Sequence, residues 1–263
     1  MRAEGNGVFF ARLEDLLSRA DRGEIVKSVF LSPSELRISR EFLDASGRRG
    51  RYLCFGGYSD AERQRIFFLP EYLEDANEYL DIAEYFEEPP IAALKIQGSG
   101  YRRFTHRDVL GSLLSLGIER DALGDIVFEN EDGVSVVLFC DRVIARFVSE
   151  ELCRVANDVV KVQEFDVSQD FEPYRNFLHI SDTVSSVRID CVVAALCSLS
   201  REKAQAAVLS ETVEVDFFAE TRPDRQISAP CIISVRGVGR FRVNSVSDKT
   251  RKGRFRLDAD KYL

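Results

Sequence analysis

The sequence predicts an α+β protein of three units: a small N-terminal α/β unit at residues 1–88, a central plait at 89–168 and a basic C-terminal unit at 183–263. Three observations lead to this prediction. The 263 residues allow two or three domains. Pro89-Pro90 interrupts the chain after an acidic stretch, and proline can neither continue a helix nor donate to a strand ladder. The charge of the chain changes sign near residue 183.

The N-terminal unit is predicted from local signals. Phe9, Leu13, Leu16 and Leu17 recur at near-helical spacing, which indicates a first helix. Ser32-Pro33-Ser34-Glu35 is a capping box that starts a second helix through about Ala45. Two further elements are expected before the acidic stretch, a strand at Tyr52–Phe55 and a third helix start at Ser59–Arg63.

The central unit is predicted to alternate strands and helices. Its order, β-α-β-β-α-β, is that of the ferredoxin-like split βαβ plait, which RNA-recognition modules also use. The third strand offers only Phe139 as an aromatic residue, so whether the plait binds RNA or protein stays open. The predicted elements are Ile91–Gln97, Thr105–Gly117, Gly124–Glu129, Val134–Cys140, Arg142–Ala156 and Val159–Phe165.

The C-terminal unit is predicted to follow a linker at residues 166–182 and to begin with a helix near Ser185. Ser200 is the expected N-cap of a second helix, Arg201–Leu209. Short strands and a basic tail complete the unit. The strands are expected at Val213–Val215, Cys231–Arg236 and Arg240–Val246.

The charge distribution indicates a polyanionic partner. The net charge is −8, but residues 183–263 hold 14 Lys and Arg against 10 Asp and Glu. Residues 233–256 carry eight basic residues and one acid, which is the footprint of a polyanion site. Residues 71–88 hold eight acids and no base, and we interpret them as a solvated face.

Composition excludes other classes of protein. Apolar residues make up 45% and charged residues 30%, the balance of a globular protein. No stretch approaches the roughly 18 uninterrupted apolar residues of a membrane span, and the charged first 17 residues resemble no signal peptide. We therefore expect a cytoplasmic protein without a membrane partner.

Three C-terminal segments in order resemble the S4 RNA-binding domain: Thr183-Val-Ser-Ser-Val-Arg188-Ile-Asp190, Leu199-Ser200-Arg201-Glu202-Lys203-Ala204 and Ile233-Ser-Val-Arg236-Gly237-Val-Gly239-Arg240-Phe241. The physical argument agrees with the resemblance, because a helix N-terminus flanked by basic side chains attracts phosphate. The predicted RNA-binding residues are Arg188, Ser200, Arg201, Lys203, Arg236, Arg240, Arg242, Lys249, Arg251 and Lys252.

A second resemblance spans most of the chain. Phe30 to Glu35, Phe55-Gly56-Gly57-Tyr58 and Thr105 to Arg120 are similar to segments of the YlmH family of three-part S4 proteins. The resemblance implies structured RNA as partner, ribosomal RNA or tRNA, on the large ribosomal subunit, with a role in ribosome-associated quality control. The alternative is an interaction adaptor that links a translation or cell-division factor to RNA through the N-terminal unit or the plait.

No enzymatic motif is present, and we predict no catalytic residue, metal or cofactor. The six scattered cysteines and two histidines do not form a zinc pattern, and no phosphate-binding loop occurs. His106-Arg107-Asp108 lacks the companion motifs of a kinase. Two interpretations of this region stay open: Thr105 and Asp108 only cap a helix beside a solvated Arg107, or His106, Arg107 and Arg120 form a second RNA surface.

Overall fold

The structure is a computed structural model that describes residues 2–73, 76–167, 171–250 and 253–263, with the backbone alone at 2–6, 248 and 249. The chain divides into two compact units, Met1–Tyr174 and Arg175–Leu263. Both units combine helices with antiparallel sheets, which confirms the predicted α+β class. Among the described residues no helix is long and apolar enough to cross a membrane.

The first part of the first unit is a three-stranded sheet with helices. The strand order is β1-β3-β2. The capping box predicted at Ser32 is confirmed: its Oγ accepts the Glu35 N–H at 3.4 Å, and its own N–H donates to Glu35 Oε2 at 2.8 Å. The elements are α1 (Arg2–Ala20), β1 (Val26–Lys27), α2 (Pro33–Ala45), β2 (Tyr52–Phe55), β3 (Arg65–Phe68) and α3 (Leu80–Ala83).

The helix start predicted at Ser59–Arg63 is wrong. This segment is a turn that leads into β3, which pairs with β2 and is buried along its whole length. The carboxylate of Asp125 holds the turn by accepting the backbone N–H groups of Glu62 at 2.7 Å and Arg63 at 3.0 Å. These donors meet a carboxylate more than 60 positions away, so they do not start a helix.

The second part of the first unit contains the six predicted elements in the predicted order. Its sheet has the order β5-β6-β4-β8-β7, and all neighbouring strands are antiparallel. The second helix ends at Glu151, earlier than predicted, because the chain turns into the β7–β8 hairpin. The elements are β4 (Ile91–Gly98), α4 (His106–Ser115), β5 (Leu123–Phe128), β6 (Ser135–Asp141), α5 (Arg142–Glu151), β7 (Arg154–Val155) and β8 (Asp158–Glu164).

Both faces of this sheet are covered within the first unit. One face packs Leu94 and Leu138 against Val109 and Val148 of the two helices. The other face carries Ala93, Val137 and Phe139. These residues pack against the N-terminal part, including Phe30, Phe67 and Ile82. Burial of each large apolar side chain contributes about 1.5–3 kcal/mol. The two parts of the first unit therefore share one apolar core.

The second unit is a six-stranded antiparallel sheet of order β11-β10-β12-β13-β14-β9. Two helices cover one of its faces through a core that includes Val192, Val208 and Phe241. The elements are β9 (Phe177–Val184), α6 (Ile189–Leu196), α7 (Arg201–Leu209), β10 (Val213–Val215), β11 (Phe218–Ala219), β12 (Cys231–Val235), β13 (Gly239–Lys249) and β14 (Phe255–Tyr262).

Two predictions for this unit are wrong. Part of the expected linker is strand β9, and the end of the expected tail is strand β14, which lies between β13 and β9. Leu257 and Ala259 alternate with polar residues and pack into the core, so β14 is fixed by long-range pairing rather than left as a tail. The first helix of the unit also starts later than expected, at Ile189.

An ion pair with a buried arginine joins the two parts of the first unit. The Arg65 side chain on β3 is 1% exposed and pairs with Asp141, which caps the start of α5. Its guanidinium carbon lies 4.6 Å from the ring centre of Phe30, and Nη1 donates to the Pro90 carbonyl at 3.3 Å. The pair is thus placed in the core that both parts share.

The Arg65→Ala substitution should lower the free energy of unfolding by about 3–5 kcal/mol, because it empties a buried site and leaves Asp141 with only its longer ion pair, to the partly exposed Lys27 at 3.6 Å. Urea denaturation measures the change. The matched control is Arg37→Ala, which removes an exposed pair with Glu41 and should cost no more than about 0.5 kcal/mol. Equal losses in the two variants would contradict the structural role of Arg65.

Candidate nucleic-acid interface

The carboxylate of Asp190, in the first turn of α6, organises the helix side of the second unit. Its side chain is 0% exposed. Arg188 donates from Nε and Nη2 to both carboxylate oxygens at 3.1 Å. From α7, Arg201 Nε donates at 3.2 Å and Gln205 Nε2 at 3.0 Å. Asp190 thereby brings together Arg188 and Arg201, which lie 13 positions apart in the sequence.

These donors set the protonation of Asp190. Burial raises the pKa of the carboxyl, but the hydrogen bonds from Arg188, Gln205 and Arg201 outweigh it and lower the pKa to about 2. The carboxylate therefore stays charged under physiological conditions and holds both arginines in place. The Arg201 side chain remains 57% exposed, so its guanidinium is anchored at one end and reaches solvent.

The N-cap predicted at Ser200 is confirmed. Its Oγ accepts the backbone N–H of Lys203 at 3.3 Å and starts α7. The Lys203 side chain, two positions after Arg201, is exposed. Two basic side chains therefore lie in the first turn of α7, where the helix dipole also favours anions.

Sequence reasoning missed two arginines next to this site. Arg222 and Arg225 lie between β11 and β12, and both pair with the buried carboxylate of Glu220. The Ile189 N–H donates to the Arg225 carbonyl at 2.8 Å, which fixes this segment beside the start of α6. The segment has no periodic pattern, and only its Arg-Pro-Asp-Arg sequence was a signal. We call Arg188, Arg201, Lys203, Arg222 and Arg225 the helix-side cluster.

The predicted strand residues do not join the helix-side cluster. Phe241 and Val243 on β13 are buried beneath the helices, so Arg240 and Arg242 project from the opposite face of the sheet. The structure therefore places the predicted strand arginines and the pair Arg188 and Arg201 on different sides of the sheet. The reason is strand alternation.

Arginines on this opposite face are partly neutralised. Arg242 donates to Asp260 at 3.0 Å and lies over the ring of Phe177, 4.8 Å from its centre. Hydrogen bonds from Asn244, His179 and Arg242 lower the pKa of Asp260 to about 2, so this carboxylate is also charged.

Two more of the predicted residues, Arg236 and Lys249, lie directly after β12 and at the end of β13. Arg236 is exposed and lines a shallow cavity of about 430 Å³ with Glu211, Glu214 and Arg240. Lys249 lies at the end of β13, where the backbone alone is described. Arg251 and Lys252 lie outside the described residues.

The structure separates the residues of the second predicted RNA surface, which are His106, Arg107 and Arg120. Thr105 and Asp108 form a capping box, as one of the two interpretations required. Arg107 is exposed in the first turn of α4. Arg120 lies beyond the other end of this helix of 10 residues, which spans about 15 Å. Its Nη1 donates to the Leu123 and Gly124 carbonyls at 3.2 Å.

The environment of Arg120 agrees with a structural role. Burial, together with the charge of Arg63, lowers the pKa of Arg120 to about 10. We therefore correct the grouping of Arg120 with His106 and Arg107 on one RNA surface. The Arg120 guanidinium donates hydrogen bonds to backbone carbonyls of β5.

Comparison with known proteins gives a family match in the second part of the first unit. Residues 90–169 match the family model described as "Putative RNA-binding domain in YlmH". The chain is also 29% identical over 229 residues to "Ribosome-associated protein quality control protein P2" of Bacillus subtilis (strain 168), covering 87% of this chain and 84% of that protein. The resemblance to the YlmH family is confirmed.

A solved structure described as "Cell division protein ylmH from Streptococcus pneumoniae" is also similar. It is 16% identical, with a TM-score of 0.46, and covers 65% of this chain and 92% of that one.

The YlmH-type domain coincides with the sheet whose two faces are covered. Phe139, the aromatic residue of its third strand, is 1% exposed and packs against Tyr58 and Phe171. Bases cannot stack on this strand without opening the core. An RNA contact of the YlmH-type domain must therefore use its loops, helices or edges.

The pH dependence of stability should report the Asp190 network. The unfolded carboxyl has an ordinary pKa of 3.8, and the folded one about 2. The contribution is therefore fully present above about pH 4 and is lost as the pH falls toward 2, about 2 kcal/mol in all.

The Asp190→Asn variant should be less stable at pH 7, and its unfolding free energy should fall less steeply between pH 4 and pH 2 than that of the wild type. Urea denaturation across this range measures both slopes. Asp260→Asn is the matched control, since it removes another carboxyl with a pKa of about 2 and leaves Asp190 intact. Identical acid slopes for wild type and Asp190→Asn would contradict the assignment.

Proposed function

We propose that the chain binds structured RNA in the cytoplasm, ribosomal RNA or tRNA on the large ribosomal subunit, and acts in ribosome-associated quality control. The observation that carries this proposal is the helix-side cluster, in which four arginines pair with the buried carboxylates of Asp190 and Glu220 and Lys203 lies in the first turn of α7. The printed name of the Bacillus relative supports the ribosomal setting.

Phosphate is the ligand that this arrangement suits. Arginine presents several N–H donors in a planar fork and forms charge-assisted bonds to phosphate oxygens. The carboxylates fix the guanidinium groups before RNA arrives, so less side-chain freedom is lost on binding. Such contacts position a folded RNA without reading its sequence. The role we propose is therefore positioning, without catalysis, metal or cofactor.

Two features support the finer fold assignments. The Ser200 cap, the paired helices α6 and α7 and the antiparallel sheet beside them favour an S4-type domain for the second unit. The strand order β5-β6-β4-β8 with the element order βαββαβ favours a ferredoxin-like plait for residues 90–169.

Binding should be strongly salt-dependent. If about five phosphates are contacted, the logarithm of the association constant for structured RNA should fall with the logarithm of salt with a slope of about −3.5 to −4.5. The purified protein should also co-sediment with isolated large subunits at low and moderate salt, and not with small ones. A slope near zero would contradict the proposal that the protein binds RNA phosphates. Absence from both subunits with free-RNA binding intact would favour tRNA away from the ribosome.

Arg201→Ala should weaken the binding of all structured RNAs by on the order of 1–3 kcal/mol, because a charge-assisted contact is lost. Fluorescence anisotropy with labelled tRNA measures this. Gln205→Ala is the matched control: it removes another Asp190 donor from the same helix but no positive charge. Equal weakening in both variants would show that Arg201 acts only through Asp190, and unchanged affinity would remove it from the site.

The adaptor function is a second candidate. The acidic stretch at residues 71–88 exposes Tyr72, Leu80 and Tyr85 beside its carboxylates, a combination that suits a basic protein partner. The same Arg201→Ala variant separates the candidates. Under the adaptor function, ribosome association in cell extract survives although affinity for free RNA falls.

A further inference from the structure

We propose that the loop segment at residues 98–107, which runs from the end of β4 into the first turn of α4, binds single-stranded RNA, with Tyr101 stacking on a nucleobase and Arg103 and Arg107 contacting phosphates. The inference rests on the proposed function only in that the ligand is RNA. The site lies in the first unit and shares no residue with the helix-side cluster.

The location follows from the covered sheet. In modules that bind RNA on a sheet, exposed aromatic residues of the strands stack on the bases. Here Phe139 is buried against Tyr58 and Phe171, so the strands cannot do this. An aromatic residue that receives a base in this domain must lie on a loop or helix, and the loop before α4 carries one.

Tyr101 is the most exposed large aromatic or apolar residue in the described part of the chain, at 92%. Every base has a flat π face, so a solvent-facing ring can stack on any unpaired base. A base inside a double helix is already stacked on both sides. The ring therefore favours single-stranded RNA.

The loop is anchored at both ends, so Tyr101 is presented by a fixed backbone. Ser99 donates through its N–H and its Oγ to the Asp158 carboxylate, at 3.1 Å and 2.5 Å. The Tyr101 N–H donates to Ser99 Oγ at 3.3 Å. Phe104 is buried in the core of the plait and donates its N–H to the Gly133 carbonyl at 2.8 Å. The loop therefore has little conformational freedom left to lose when RNA binds.

The loop is also strongly basic. Residues 98–107 contain three arginines and no acid. Arg102 pairs with Asp108 at 3.1 Å, which leaves Arg103 and Arg107 as exposed guanidinium groups without an ion pair to any described residue. The stem of Arg103 lies beside Gly133. Aromatic and arginine side chains together are the combination that binds single strands.

The absence of tryptophan from the chain allows a direct test. The Tyr101→Trp variant carries one indole at the proposed stacking position. Titration with a 12-residue oligoadenylate should quench its fluorescence saturably, and an RNA duplex of equal length should quench it far less. Tyr72→Trp is the matched control, since Tyr72 is also exposed, at 64%, but lies in the acidic stretch. Its emission should stay unchanged.

Affinity measurements complete the test. Tyr101→Ala should weaken oligoadenylate binding roughly 5- to 150-fold, the range of one base–aromatic stack, whereas Tyr101→Phe should change it less than about twofold. Because Tyr101 is solvent-exposed, neither substitution should alter the urea midpoint.

The proposal is overturned if oligoadenylate binds by anisotropy while the Tyr101→Trp emission does not change. It is also overturned if structured RNA binds in an Arg201-dependent manner but oligoadenylate does not bind. In both cases the function proposed for the second unit stands. If Arg201→Ala does not change the binding of structured RNA while the Tyr101→Trp emission is quenched, the helix-side cluster is not an RNA site and the loop still is.

Discussion

A carboxylate that is removed from water must be met by donors, and this constraint organises both units of the chain. Asp125 takes two backbone N–H groups from the turn before β3, and Asp141 takes Arg65. Asp190 takes Arg188 and Arg201. In each case the charge connects segments that are separate in the sequence, because desolvation makes an unpaired carboxylate more costly than the ordering of its partners.

The same constraint changes how the charge of the protein is to be understood. Residues 183–263 hold 14 Lys and Arg against 10 Asp and Glu, and several of these arginines pair with internal acids, so the field of this unit at long range is modest. The feature of the chain that suits RNA is the fixed orientation of its arginine side chains. Arg201 illustrates this, since its Nε is committed to Asp190 while its side chain remains more than half exposed. Such a group binds phosphate at short range with its orientation already fixed.

Structural features that depend on residues close in the sequence could be predicted, and those that depend on distant residues could not. The caps at Ser32, Thr105 and Ser200 involve residues three positions apart and were all confirmed. The turn at Ser59–Arg63 was misjudged because its partner, Asp125, is remote. Arg222 and Arg225 were missed for a related reason: their pairing with Glu220 is local, but their place beside α6 depends on the long-range backbone bond from Ile189 to the Arg225 carbonyl. Strand alternation could have revealed β14, whose apolar residues fall at every second position.

The two proposed RNA surfaces bind through different interactions, phosphate contacts in one and base stacking in the other, and this difference gives them different roles. The helix-side cluster acts on phosphates, so its contribution depends on counterion release and is insensitive to base identity and pairing. Tyr101 acts on a base face, which is open only where the RNA is unpaired, and stacking responds little to salt. A folded RNA with an unpaired segment would therefore satisfy both surfaces, whereas a uniform duplex would satisfy only the helix-side cluster. Discrimination between RNAs would come from the loop, and most of the general attraction from the arginines.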